Sequence, residues 1–502
     1  MIERPLRHVL AVLMLCFVAL FVQLNRIQYF DADALRQHGE NTRTIQRDFA
    51  RERGPISTSD GEIVALSVPV DGPLERQRQY PHDDLYAHTV GYLSFNIGAE
   101  GVERAYSDDL IGRSSAFQLS NISDMLSGQQ PIGEVVLTMR HDLQLTAKQQ
   151  LGERKGSVVA LDPRTGDILA MWSYPSFDPN ELSGLVGTEV NANYQALLNE
   201  DGNPLRAKAY RDIYFPGSTF KVVTAAAALA SGSVTLTEPV FPNSSGYTAP
   251  LTTRALRNFG GSTCGGDLTE LLRVSCNTGF AQLGAELIGP ERLSSTAQDF
   301  GFNLTPPIDI PGAVASRFPT DYGAQLQASS PEIPAGVYEN TPLLAQTSIG
   351  QNDVSATPLQ MALVAAAVAN NGEMMAPHVV AEVKDRTGSV VSSIEPQRWQ
   401  RAVSSSVALD LRDAMVNVVE NGTAGSAAVA GIEVGAKTGT AQLGTDPPKS
   451  HAWMIAFAGP PGRTPEIAIA VLIEGTDGAS EQTGGRVAGP IVRAMIEAYF
   501  QR

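Results

Sequence analysis

The chain has 502 residues, 43% of them apolar and 18% charged, with a formal net charge of −16. That length holds two or three domains and a large buried core, and the composition is that of an ordinary globular protein. The acidic balance excludes nucleic acid, whose phosphates need basic partners, and argues against a broad basic patch for anionic lipid.

In chain order, the first feature is an unbroken apolar run over residues 9–22, preceded by Arg4, Arg7 and His8. It is short against the roughly 20 residues of a spanning helix. Arg7 can snorkel, and Ile27, Tyr29 and Phe30 suit the far interface. A cleaved signal peptide is the competing reading. No Ala-x-Ala-like site follows the run, however; the chain goes on as Leu24-Asn25-Arg26. We expect an uncleaved signal-anchor within residues 1–25. It would cross the cell membrane once, with the N-terminus cytoplasmic and the rest extracytoplasmic.

Residues 31–53 are polar and read as a solvated helix or stalk. From residue 54 to about 130, short apolar runs alternate with Gly, Pro, Asp and Ser clusters, the pattern of small strands and loops. Residues 135–138 and 142–151 read as a strand leading into a helix. Two short apolar strands follow, at 157–161 and 168–172, joined by the turn residues Asp162-Pro163-Arg164-Thr165-Gly166-Asp167. This hairpin is expected to open the main sheet. The Ala-rich stretch 222–230 predicts a buried helix, and 357–369 a second apolar one. Residues 467–474 read as a strand. Residues 488–500 read as a closing amphipathic helix with Pro490 in its first turn. Strands at both ends with helices between them predict an α+β fold. The boundaries are an anchor at 1–25, a small N-terminal domain at 26–150 and a main domain at 151–502.

Three cysteines are present. Cys16 lies in the apolar run. Cys264 and Cys276 lie in the exported part, where disulfides persist. The glycine pairs Gly260-Gly261 and Gly265-Gly266 let the chain fold back to the Cα spacing of a bridge, below about 7 Å. We expect the two to pair; two buried free thiols are the alternative. The seven histidines are scattered, and no Cys-x-x-Cys or His-Glu-x-x-His pattern occurs, so neither a metal site nor a cofactor is expected.

Three short motifs carry the chemistry: Ser218-Thr219-Phe220-Lys221, Ser275-Cys276-Asn277 and Lys437-Thr438-Gly439-Thr440. Each is weak alone. Of the seven lysines, only Lys221 has a serine three residues before it. A second Ser-x-Asn, Ser94-Phe95-Asn96, precedes Ser218 and is in the wrong order. Together the motifs describe a serine acyl-transfer site in which lysine replaces histidine as the proton shuttle. Ser218 and Lys221 are three apart, so one helical face carries both. A serine hydroxyl needs a base, and Lys221 can serve only if neutral. Burial and the charge of Lys437 would both lower its pKa. Residues 433–442 read as a strand. Alternation puts Lys437 and Gly439 on one face and Thr438 and Thr440 on the other unless the strand twists or bulges. Gly439 would let a substrate backbone approach.

The chain resembles the class B penicillin-binding proteins, most of all the penicillin-binding protein A type of actinobacteria. Beyond the three motifs, the likeness rests on Arg53-Gly54-Pro55-Ile56, Asp60-Gly61, Gly101-Val102-Glu103 and the stretch 156–179. It continues through Gly350-Gln351, Thr357-Pro358 and His451-Ala452-Trp453. Asn352 departs from it, standing where many relatives carry Gly, and reads as a local loop change.

The resemblance implies a penicillin-binding/serine β-lactamase-like transpeptidase fold, a five-stranded antiparallel sheet packed between helices, with the N-terminal domain as a pedestal too short for a glycosyltransferase. It implies a D,D-transpeptidase that cross-links peptidoglycan stem peptides in cell division and wall synthesis and is the target of β-lactam antibiotics. Ser218 would be acylated, with Lys221 as its base. Ser275 would pass the proton to the leaving group, and Asn277 would hold the donor peptide. Lys437, Thr438 and Thr440 would receive the terminal carboxylate beside Gly439. The amides of Ser218 and Thr440 would form the oxyanion hole. A membrane glycosyltransferase and divisome proteins are the implied partners. A class A β-lactamase is disfavoured, because no Glu-x-x-Leu-Asn follows Ser275. A D,D-carboxypeptidase and a β-lactam-sensing or inactive divisome scaffold remain as alternatives.

Overall fold

The computed structural model describes residues 3–26, 49–72, 74–120, 131–446, 449–476 and 483–501. Two compact units separate, residues 1–52 with 67–77 and residues 53–66 with 78–502.

In the first unit, the N-terminal apolar run is helical over Glu3–Asn25. The apolar side chains described there, from Val12 to Val22, are exposed. Among the described residues, however, no helix is long and apolar enough to cross a membrane. The uninterrupted apolar stretch, residues 9–22, falls short of the roughly 20 residues of a span. Ile27, Tyr29, Phe30 and residues 31–48 of the polar stretch lie outside the described residues, as do residues 121–130.

The second unit is built on a five-stranded antiparallel sheet. Its strands run in the order Glu433–Gln442, Ser450–Gly459, Ile467–Ile473, Gly156–Leu161, Ile168–Tyr174. The expected hairpin is there, and its turn closes through a hydrogen bond from the Gly166 amide to the Asp162 carbonyl. Ile467–Ile473 is buried at every position, so both faces of the sheet must be covered. Pro358–Ala369 and Ser405–Asn421 pack on the sheet, and so do His141–Leu151 and the closing helix Gly489–Phe500. Pro358–Ala369 is buried all round, as a helix sandwiched between sheet and further helices must be. Thr357 caps it, accepting from the Gln360 amide at 3.0 Å. This is the α+β architecture expected. One strand matters for position: Glu433–Gln442 is at the sheet edge, with one side free of strand partners among the described residues.

A second sheet joins Ile56–Ser57, parallel, to Glu134–Leu137. Val380–Lys384 and Val390–Ser393 extend it from deep within the later sequence. Beside it, Arg53 and Glu103, from two of the quoted sequence stretches, meet across fifty residues of chain. The fully buried Glu103 carboxylate accepts from Arg53 Nε at 2.6 Å and from Arg78 Nε at 2.5 Å. Burial pushes its carboxyl up, but the two guanidiniums outweigh this and hold its pKa below the ordinary value. Arg78 also donates to the Gly54 carbonyl at 2.8 Å. Neutralising one member of such a cluster strands the others' charge in a buried site. Glu103→Gln should therefore cost about 3–5 kcal/mol in urea unfolding of the full chain. A loss under about 1 kcal/mol would show that water reaches the two arginines.

Candidate active site

Three contacts, two of them long-range, set the geometry around Ser218. Trp453 Nε1 donates to the Phe215 carbonyl at 3.0 Å, Thr219 Oγ1 to the Pro216 carbonyl at 2.7 Å, and the Gly217 amide to the Gly350 carbonyl at 2.9 Å. They hold Ser218 on a 3₁₀ turn, Gly217–Phe220, and the α-helix begins only at Lys221, running to Ala230. The sequence spacing puts Ser218 and Lys221 on one face of an α-helix. The tighter turn nearly eclipses residues three apart, which lines Ser218 up with Lys221 better than an α-turn would. No hydrogen bond engages the Ser218 hydroxyl among the described residues, and the residue lines the cleft.

Lys221 is fully buried. Its Nζ donates to the Asn277 Oδ1 at 2.6 Å and to the Ser275 carbonyl at 2.7 Å, and lies 3.3 Å from Ser275 Oγ. Lys437, equally buried, reaches the same hydroxyl from the edge strand: its Nζ is 2.8 Å from Ser275 Oγ and 2.9 Å from the Thr438 carbonyl. Ser275 thus sits between two lysines. Its backbone is left-handed, with φ of 59°, a strained conformation for serine. Two links hold it there. The Cys276 amide donates to the Leu271 carbonyl, and Cys276 is bridged to Cys264 with a Cα separation of 5.8 Å. The expected disulfide is present.

Two buried ammonium groups around one hydroxyl cannot both stay charged cheaply. Burial, and then the charge of Lys437, drives the Lys221 pKa well below that of an ordinary lysine. Burial alone lowers Lys437 to about 7.

The cleft has a volume of about 960 Å³. Ser218, Ser275, Asn277, Thr438 and Thr440 all line it, so the structure brings the three motifs together. Lys437 reaches Ser275 from beneath, and its two following threonines face the cleft. Asn277 Nδ2 donates to the Arg257 carbonyl at 3.1 Å, so both ends of its amide have protein partners. Ser94-Phe95-Asn96 does not line the cleft.

Gly439 is closely packed against its own chain. A Cβ there would lie 2.9 Å from the Pro216 carbonyl oxygen, 2.9 Å from Thr219 Cγ2 and 3.0 Å from Trp453 Cβ. The close approach on this side is made by the Gly217–Phe220 turn. Gly350 is similar, since a Cβ there would meet the Gly217 carbonyl oxygen at 2.1 Å. Asn352 has φ of 64°, the left-handed region that Gly favours and Asn tolerates, which accounts for the local change read from the sequence.

The sequence reading missed several cleft residues. Thr423 shares a 2.8 Å hydrogen bond with Thr438 through their hydroxyls. Asn258, Arg254, Arg257 and Thr483 also line the cleft. None sits in a recognisable pattern; only the cleft collects them.

Residues 156–497 match the penicillin binding protein transpeptidase domain, and residues 53–136 the penicillin binding protein A dimerisation domain. The chain belongs to the penicillin-binding protein transpeptidase family. It is 38% identical to the peptidoglycan D,D-transpeptidase PbpA of Mycolicibacterium smegmatis, over 98% of each chain. It is also 38% identical to PbpA of Mycobacterium tuberculosis, over 99% of each. Among solved structures it is similar to penicillin-binding protein A from M. tuberculosis. The ceftriaxone acyl-enzyme complex has a TM-score of 0.79 at 36% identity, covering 91% of this chain and all of that one. The penicillin G acyl-enzyme complex has a TM-score of 0.78 at the same identity, covering 90% and 100%.

With Lys221 as the expected base, the reactivity of Ser218 should depend on pH. Labelling by a chromogenic thioester should fall about tenfold per pH unit below the pKa of the base, because protonation removes its lone pair. Lys437→Gln removes a charge that lowers Lys221, so the acid limb should move to higher pH; an unmoved limb would clear Lys437 of that role. Gly439→Ala should displace the nucleophile turn and slow labelling by about 10²-fold. Thermal unfolding is the control that the domain remains folded.

Proposed function

We propose that this chain is a serine D,D-transpeptidase that cross-links peptidoglycan stem peptides through a Ser218 acyl-enzyme. One observation carries the assignment of roles. The two short contacts of Lys221 go to carbonyl-type oxygens, at 2.6 and 2.7 Å. A neutral amine has two N–H donors and one lone pair. With both donors taken, the lone pair is left for the serine hydroxyls.

The reaction then runs in two halves. Ser218 Oγ attacks the carbonyl of the penultimate D-Ala, and its proton passes to Lys221. The C–N bond to the last D-Ala breaks, and the leaving amine takes a proton through Ser275, whose hydroxyl is held by Lys437. An amine on a neighbouring stem peptide next attacks the ester, and Ser218 recovers its proton. The amides of Ser218 and Thr440 would steady the oxyanion in both halves. Asn277 would orient the donor, and Thr438 and Thr440 its terminal carboxylate. A β-lactam enters by the same attack. Its ring-opened remainder stays tethered and blocks the acceptor.

We assign residues 1–25 to a cytoplasmic tail and signal-anchor, 26–150 to a pedestal and 151–502 to the transpeptidase domain. The exposed apolar helix Glu3–Asn25 supports attachment to the cell membrane with the site outside. A membrane glycosyltransferase and divisome proteins are the partners such a reaction calls for, since another enzyme must polymerise the strands being joined.

Intact-protein mass and peptide mapping after penicillin should place one adduct on Ser218 and none on the Ser218→Ala variant. Lys221→Ala should slow acylation by about 10²–10⁴-fold, the usual worth of general-base assistance. An adduct on Ser275, or near-normal kinetics without Lys221, would reverse these assignments. Donor and acceptor stem peptides fed together should give cross-linked dimer in excess of hydrolysed monomer. Monomer alone would make the enzyme a carboxypeptidase.

A further inference from the structure

The cleft has an unusual charge for this chain. The protein carries a formal net charge of −16, yet among the described residues no Asp or Glu lines the cleft, while Arg254 and Arg257 do. Both arginines are exposed, and neither guanidinium has an ion-pair or hydrogen-bond partner among the described residues. Arginines on the surface of an acidic protein ordinarily find carboxylates, as Arg206 and Arg412 do here. Two left open on one cleft wall leave room for a carboxylate that arrives with a ligand.

The wall is built firmly. Leu256–Arg257 pairs antiparallel with Gly246–Tyr247. Next in the chain, the buried Asn258 donates to the Ser244 and Ser262 carbonyls at 2.9 Å each and accepts from the Thr278 amide at 3.0 Å. The Arg257 carbonyl accepts from Asn277 Nδ2, and Asn277 Oδ1 accepts from Lys221. Arg257 is therefore two hydrogen bonds from the proposed base, on a backbone pinned to the Ser-x-Asn motif. The cleft's volume of about 960 Å³ is at the upper end of the roughly 300–1,000 Å³ range of small-molecule pockets, ample for more than a D-Ala-D-Ala dipeptide.

We infer that Arg254 and Arg257 are specificity-determining residues. They select a donor stem peptide whose third residue, just before D-Ala-D-Ala, carries a free side-chain carboxylate. The terminal carboxylate of the donor is already provided for by Thr438 and Thr440, so the arginines answer to a second one. A guanidinium pairs with a carboxylate bidentately and discriminates against both an amide and an ammonium. This inference rests on the transpeptidase reading above.

The test uses the full-length protein and three synthetic pentapeptide donors ending in D-Ala-D-Ala. Their third residues are diaminopimelate with a free carboxylate, its carboxamide, and lysine. D-Ala release should show kcat/KM at least about tenfold higher for the carboxylate than for the carboxamide, the worth of one charge-assisted hydrogen bond. The Arg254→Ala/Arg257→Ala double variant should bring that ratio close to one. Arg257→Glu should reverse the order of the carboxylate and lysine donors. A general loss of activity lowers all three donors alike, so the ratio separates recognition from damage. Brisk release with no preference in the wild-type protein, or a preference that survives in the double variant, overturns the inference. Release of D-Ala from none of the three overturns the transpeptidase reading, and this inference with it.

Discussion

Two buried lysines converge on one hydroxyl, and most of the site follows from that constraint. Lys221 and Lys437 are both fully buried, and both reach Ser275 Oγ. Neither has a carboxylate within ion-pairing distance among the described residues. Buried charge without a counter-ion is costly, so one of the two must stand neutral near physiological pH. In the proposed reaction the neutral lysine is the base and the charged one steadies the hydroxyl between them. The catalytic asymmetry thus comes from placing like charges together, where a histidine-based site would use a carboxylate to orient its base.

Holding Ser275 between the lysines requires a left-handed backbone, and the surrounding structure overdetermines it. The disulfide, the Cys276 amide and the Asn258 network all hold the same short segment. Strain at a functional position persists when its surroundings leave it no alternative. Across the cleft, the Gly217–Phe220 turn is pressed onto the edge strand so tightly that no side chain fits at Gly439. The two halves of the site are positioned by backbone contact, which tolerates less drift than contact through flexible side chains.

Away from the chemistry, the Arg53–Glu103–Arg78 cluster also buries charge, beside the second sheet, but with charges of opposite sign in contact. Here the carboxylate stays ionised because two cations outweigh its burial. The Val380–Lys384 strand, inserted from the main domain's sequence, adds to that sheet. The linear boundary at residue 150 is therefore crossed by the folded chain.

Strands, helices and the order of the three motifs were legible because they depend on local periodicity and short spacing. Residues 156–161 and 168–174 declare a hairpin through apolar runs and an Asp-Pro-Arg-Thr-Gly-Asp turn. The pairing of Cys264 with Cys276 follows from twelve residues of separation and the flanking glycines. The start of the helix at Lys221 was not legible, since the 3₁₀ turn before it is set by Trp453 and Gly350 from distant parts of the chain. What packs against Gly439 was not legible for the same reason: a glycine announces a close approach but does not say which atom approaches. Thr423, Arg254 and Arg257 carry no pattern at all. The sequence by itself determined the class of chemistry, because a nucleophile and its base must stand at fixed spacing on one turn. Only the tertiary structure decided the proton balance of the lysines and the charge of the cleft, because burial and unpaired charge are properties of residues brought together from far apart.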